Sequence, residues 1–123
     1  MRKILVVDDE LSIVNFIADV SRVLGYEPKS LTSGKRVLDV AKEWKPDLIT
    51  LDIMMPAPNG IEVLDQLKSD PETAAIPIYI ISAMTIKPEM QGQIAKAQAV
   101  FPKPIDTKEF VRSLRQLEKI PAR

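Results

Sequence analysis

The sequence predicts an α/β fold: one five-stranded parallel sheet with helices on both faces. Three observations lead there. Short continuous apolar runs rich in β-branched residues, such as 4–7, 48–51 and 76–81, read as strands buried on both faces. Between them lie stretches whose apolar residues recur at helical spacing. The two patterns alternate through five strand–helix units with no repeat, linker or low-complexity stretch, and that alternation builds a parallel sheet.

In order, residues 4–7 form the first strand, closed by Asp8, Asp9 and Glu10. Residues 11–24 follow as a helix, with Ile13, Ile17, Val20 and Leu24 on one face, Asp8 or Asp9 as its cap and Gly25 as its stop. Residues 27–31 make a weak strand that Pro28 confines to an edge. Thr32 or Ser33 is expected to cap a second helix carrying Val37, Ala41 and Trp44, ended by Pro46. The third strand, 48–51, delivers Asp52 into a Pro-rich turn containing Pro56, Pro58, Asn59 and Gly60. A third helix turns Ile61, Leu64 and Leu67 inward. The fourth strand, 76–81, ends at Ser82. Pro88 and Gly92 lower the propensity of the fourth helix, expected to start near Pro88. Residues 99–101 form the fifth strand, closed by Pro102, Lys103 and Pro104. Asp106 or Thr107 caps a last helix with Phe110, Leu114 and Leu117 inward. Residues 1–119 are expected to be one domain and 120–123 a C-terminal tail. Five such strands suit the flavodoxin-like order 2-1-3-4-5.

Composition narrows the function classes. The 123 residues contain no Cys and no His, which excludes disulfides, thiolate metal sites, His-based triads and imidazole acid–base work. Lys plus Arg and Asp plus Glu are 17 each, so bulk attraction to nucleic acid or an anionic membrane is not expected. The charge is uneven: residues 1–82 hold nine basic against thirteen acidic side chains, and residues 83–123 hold eight against four. No apolar run approaches the length of a membrane-spanning helix, and the first ten residues do not read as a signal peptide, so a cytoplasmic location is the expectation. There is no G-x-G-x-x-G, and a Walker loop ending in Gly34-Lys35 would need Gly where Lys29 stands.

In the order 2-1-3-4-5, strands one, three, four and five are neighbours. Asp8 and Asp9, Asp52, Ser82 and Lys103 therefore gather along one C-terminal edge, where open α/β sheets bind ligands. Alone, each has an ordinary reading: a helix cap, turn chemistry, a loop hydroxyl, a solvated lysine. Together they are three acids, a hydroxyl and an ammonium in one crevice. Clustered carboxylates need a cation, and a set offering only oxygen favours Mg²⁺. Asp52 is placed to attack phosphorus as a carboxylate nucleophile. Such transfer needs positioning and charge neutralisation more than proton transfer, so the lack of His costs little.

The segments 4–10 (ILVVDDE), 46–60 (PDLITLDIMMPAPNG), 76–83 (IPIYIISA) and the pair Lys103-Pro104 resemble the receiver domain of two-component response regulators. The resemblance spans essentially the whole chain. It implies a phosphorelay role in which Asp52 accepts a phosphoryl group from a histidine kinase or histidine phosphotransferase. It implies that Asp9, Asp52 and the backbone carbonyl of Met54 bind Mg²⁺, with Asp8 reaching it through water. Ser82 would hydrogen-bond the phosphoryl group, Lys103 would pair with it, and the Lys103–Pro104 bond would be cis. The fourth helix, fifth strand and last helix would form the output surface. There Lys108, Arg112, Arg115 and Lys119 share a helix face that suits an acidic protein partner rather than nucleic acid.

The sequence departs from the family in places. Val100 occupies the usual aromatic position, with Phe101 pointing to the other face. Lys96 stands where Gly is common, and Pro102 precedes Lys103. Met54 and Met84 flank the site, where thioethers neither position nor activate water, so a shielded aspartyl phosphate is expected. Two other functions compete: a pseudo-receiver that binds partners without taking phosphate, and a Mg²⁺-dependent phosphohydrolase. The hydrolase would want a second acid two residues after Asp52, where Met54 stands.

Overall fold

A computed structural model describes residues 2–83 and 87–117. Five strands form one all-parallel sheet: β1 (Arg2–Val7), β2 (Tyr26–Leu31), β3 (Leu48–Asp52), β4 (Ile78–Ser82) and β5 (Ala99–Pro102). Their order is β2-β1-β3-β4-β5, as expected, with Pro28 on the edge strand β2. Five helices connect and follow them: α1 (Leu11–Val23), α2 (Val37–Trp44), α3 (Gly60–Ser69), α4 (Gln91–Ile94) and α5 (Thr107–Leu117).

The central strands are continuously apolar because both faces are buried. Side chains alternate across the sheet, so each strand feeds two cores. Leu5, Val7, Ile49, Leu51, Ile78 and Ile80 face α2, α3 and Ile94 of α4. Ile4, Val6, Leu48, Tyr79, Ile81 and Phe101 face α1 and α5. In the second core Phe110, fully buried, meets Tyr79 and Phe101 edge-on with ring centroids 6.3 and 5.7 Å away. Aromatic pairs in this arrangement add to what burial alone contributes.

Two expected caps are not used. Glu10, not Asp8 or Asp9, occupies the cap position of α1, because Asp8 turns inward and accepts from the Glu10 N–H at 2.9 Å. Neither Thr32 nor Ser33 caps α2; Ser33 Oγ accepts from the Lys35 N–H at 3.2 Å in a local turn, and α2 starts after Arg36. On α1 the buried positions are Val14, Ile17, Ala18 and Ser21, while Ile13, Val20 and Leu24 pack half-buried at the margin. Gly25 ends α1 with φ +89°, a conformation Gly adopts without steric cost. Asp106 caps α5, its Oδ1 accepting from the Glu109 N–H at 3.2 Å. The segment before α4 is a single 3-10 turn, Pro88–Met90, and α4 itself has four residues, in keeping with its poor propensity. Met84, Lys119 and the tail 120–123 lie outside the described residues.

Candidate functional site at the carboxyl edge of the sheet

Register brings the site together. Val7 pairs with Leu51, so Asp8 and Asp52 leave adjacent strands at the same height. Asp52 pairs with Ile81, and Ser82 with Pro102, which sets Lys103 beside both. The Lys103 N–H donates to the Ser82 carbonyl at 2.9 Å, tying the end of β5 to the end of β4. The Lys103–Pro104 bond is cis, as is Ala57–Pro58.

Asp8, Asp52 and Ser82 are all buried, at 1%, 2% and 3% exposure. The Lys103 ammonium reaches three carboxylates: Glu10 Oε1 at 2.8 Å, Asp8 Oδ2 at 3.0 Å and Asp52 Oδ2 at 3.5 Å. Asp52 Oδ1 accepts from the Met54 N–H at 3.1 Å. Asp8 Oδ2 is paired in charge with Lys103 but has no aligned hydrogen bond among the described residues, so a buried oxygen keeps its accepting capacity. Asp9 is exposed, and Glu10 rather than Asp9 joins Asp8 and Asp52 in a group whose oxygens lie within 4.8 Å of one another. Glu10 was missed because its number in the sequence says nothing about which way the chain turns after β1.

Three acids around one ammonium leave the cluster net negative. Burial pushes the Asp52 carboxyl up to about 6, Asp8 adds to the rise, and the Met54 N–H and Lys103 hold it back. Burial disfavours the Lys103 ammonium, but its pairings with Glu10 and Asp8 and the charge of Asp52 outweigh it and raise its pKa. An oxygen-only donor set, with negative charge left over and a buried oxygen still able to accept, fits a hard divalent cation such as Mg²⁺.

The turn after Asp52 is packed rather than loose. Asn59 and Glu62 form a reciprocal cap at the start of α3, each accepting from the other's N–H at 3.0 Å. The Asn-x-x-Glu spacing carries that signal in the sequence. A Cβ on Gly60 would strike the Asp52 carbonyl oxygen and lie 2.5 Å from Ile53 Cα. Only Gly lets α3 start so close to the end of β3. Met54, 54% exposed, stands at the mouth of the site, and Met55 is buried in the core. Val100 is 40% exposed, whereas Phe101 points into the α1/α5 core, as strand alternation requires. Lys108, Arg112 and Arg115 are exposed on α5 along an open groove of about 590 Å³ that also includes Val111. Arg112 is partly neutralised by Glu109 at 2.6 Å. Lys96 pairs with Asp65 at 3.5 Å, linking the end of α4 to α3. Among the described residues, no helix is long and apolar enough to cross a membrane.

Comparison with known proteins agrees with this geometry. The chain is 31% identical over 115 residues to the polar-differentiation response regulator DivK of Brucella ovis, covering 93% of this chain and 94% of that protein. It is 31% identical over 118 residues to the DNA-binding dual master transcriptional regulator RpaA of Synechocystis, covering 95% of this chain but 49% of RpaA, so it spans about half of that relative's length. The structure of the Vibrio cholerae chemotaxis protein CheY4 is similar with a TM-score of 0.84 at 26% identity, over 95% of this chain and 98% of that one. The response regulator receiver domain matches residues 4–115 as a family, and the chain belongs to that family of two-component signalling domains.

Proposed function

We infer that this receiver domain takes a phosphoryl group onto Asp52 from a histidine kinase or histidine phosphotransferase and relays its phosphorylation state to a protein partner. The observation that carries the reading is the convergence of the buried Asp52 carboxylate with the Lys103 ammonium at 3.5 Å and with Ser82 at the ends of neighbouring strands. With a pKa of about 6, Asp52 is mostly ionised at neutral pH and available as a nucleophile. One carboxylate oxygen attacks phosphorus as the bond to the donor's imidazole nitrogen breaks, and the donor leaves with that electron pair. The Met54 N–H holds Asp52 Oδ1, which leaves Oδ2, on the Lys103 side, to attack. Lys103 then neutralises phosphoryl oxygens, and the Ser82 hydroxyl donates to one of them. Asp8, Asp9, Asp52 and the Met54 carbonyl are the proposed Mg²⁺ ligands. Bound there, Mg²⁺ would supply charge neutralisation at the transferring group.

The chain thus catalyses only its own phosphorylation and dephosphorylation. A hydrolase with turnover is disfavoured because Met54, at the mouth of the site, offers a thioether where an acid–base group is needed. Output is assigned to the α4-β5-α5 surface, where the α5 groove and its cations suit an acidic protein partner. The test is incubation with Mg²⁺ and a small acyl phosphate, read by intact mass. One labile phosphoryl group on the wild type, absent from Asp52→Asn, is the expected result. No adduct on the wild type would mean a binding module that does not take phosphate, and steady phosphate release would mean a hydrolase.

A further inference from the structure

Glu10 has no part in the reading above, yet it makes the shortest contact of the Lys103 ammonium: 2.8 Å, against 3.0 Å to Asp8 and 3.5 Å to Asp52. Its backbone is fixed from two sides. Its N–H donates to Asp8 Oδ1 at 2.9 Å, and its carbonyl accepts from the N–H groups of Ile13 and Val14 at 3.0 and 3.1 Å as α1 begins. The Glu10 side chain is 56% exposed while that of Lys103 is 9% exposed, so Glu10 covers the ammonium from the solvent side. That pair joins positions 93 residues apart, across the mouth of the site.

Resting on the phosphoacceptor reading, the geometry points to Glu10 as a positioning residue whose carboxylate competes with the phosphoryl group for Lys103 and so limits how firmly the phosphorylated state is held. An ammonium is a compact charge with three donors. In the resting site those donors face three carboxylates, and Asp52 has the longest contact. Phosphorylation brings further negative charge and strong acceptor oxygens to that carboxylate. Lys103 must move toward them and away from Glu10. Because Glu10 is already half in water, it is rehydrated readily when it lets go, and the competition has the modest strength of an exposed ion pair. A fully buried acid at this position would oppose the shift much more strongly, and a neutral residue would not oppose it.

The test is titration of the whole protein with Mg²⁺ and beryllium trifluoride, a phosphoryl mimic that binds carboxylates, followed by ¹⁹F NMR. The ¹³Cε signal of Lys103 is recorded before the mimic is added. Glu10→Gln, and Glu10→Ala as a second neutral variant, should bind the mimic roughly two- to fivefold more tightly than the wild type. In both, the Lys103 signal should already be displaced without the mimic. Unchanged affinity overturns the inference, as does tighter binding with an unmoved Lys103 signal, which would mean direct repulsion rather than competition. Weaker binding of the mimic together with weaker Mg²⁺ binding overturns it in favour of Glu10 as a metal ligand. If the wild type binds no mimic, the phosphoacceptor reading itself has failed and this inference falls with it; binding to the wild type with no gain in the variants refutes the inference alone.

Discussion

Replacing Asp52 by Asn should stabilise the protein at neutral pH and not at acid pH. Asp52 is 2% exposed, sits beside Asp8, and is shared as a partner of Lys103. Folding raises its carboxyl pKa from 3.8 to about 6, with burial the largest cause and the Asp8 charge next. A carboxyl raised on folding binds its proton more tightly in the native state. Stability is therefore fully retained below the unfolded value of 3.8 and declines as pH rises through about 6. The span between those two values corresponds to about 3 kcal/mol of penalty above pH 6. The attraction of Lys103 is already included in that figure, since it is one of the causes holding the pKa down.

Asn keeps the shape and the Oδ1 acceptor that receives the Met54 N–H, removes the ionisation, and sets an amide NH2 where Oδ2 stood 3.5 Å from the Lys103 ammonium. Lys103 retains Asp8 and Glu10 as partners, so no buried cation is orphaned. Because the amide NH2 meets Lys103 where a carboxylate oxygen had attracted it, about 2 kcal/mol of gain is expected at pH 7.5. For a chain of this size, 123 residues, that is a rise in Tm of roughly 6–10 °C. The assay is urea unfolding of both proteins from pH 4 to pH 8 in the presence of a chelator. The gap should open between pH 4 and pH 6; carboxylates remote from Asp52 cancel in the difference. Added Mg²⁺ should then raise the wild type more than the variant, by linkage to the state that binds it. Equal stability at pH 7.5, or a gap that persists undiminished at pH 4, refutes the assignment of a buried, strained charge to Asp52.

Gly60→Ala should destabilise by about 3 kcal/mol and slow phosphorylation, because its Cβ would meet backbone of Asp52 and Ile53 that cannot move aside; a normal urea midpoint would show that the turn is not so constrained. Phe110→Ala should cost about 4 kcal/mol in the same measurement, since it removes a fully buried ring and its two edge-on partners, Tyr79 and Phe101. Thr50→Val should stabilise by about 1 kcal/mol, because the buried Thr50 hydroxyl has no hydrogen-bond partner among the described residues; destabilisation would mean that the hydroxyl is satisfied. Met54→Asn should shorten the life of the aspartyl phosphate several-fold, as an amide at the mouth of the site can orient water where a thioether cannot, and an unchanged decay of the intact-mass adduct would count against that role.

Much of the fold was legible because period and punctuation agreed at most positions. Continuous apolar runs gave the central strands, Pro28 gave the edge, Gly25 the end of α1, and Pro88 the start of a short, weak helical segment. The caps were harder, because a cap depends on which way a side chain turns. Asp8 could have capped α1 from its position in the chain. It turns inward instead, since β1 delivers it beside Asp52 and Lys103, and its outer neighbour Glu10 takes the cap position. The same limit applies to α2, where Ser33 satisfies its own turn before the helix begins.

The site was legible at the level of the sheet and not at the level of rotamers, and the difference has a physical cause. Sheet order and register are fixed by backbone hydrogen bonds that the hydrophobic pattern selects, so the ends of β1, β3, β4 and β5 had to meet. Which of three consecutive acids then points inward depends on two or three dihedral angles after the last ladder bond. Asp8 and Glu10 share one side of that turn, and Asp9, between them, is left toward solvent. Its charge nevertheless adds to the raised pKa of Asp52, after burial and the charge of Asp8. A change of a few dihedrals would exchange Glu10 for Asp9 at the site without disturbing a strand, so the acid nearest Lys103 in the resting protein and the acid proposed to hold a metal can be different residues.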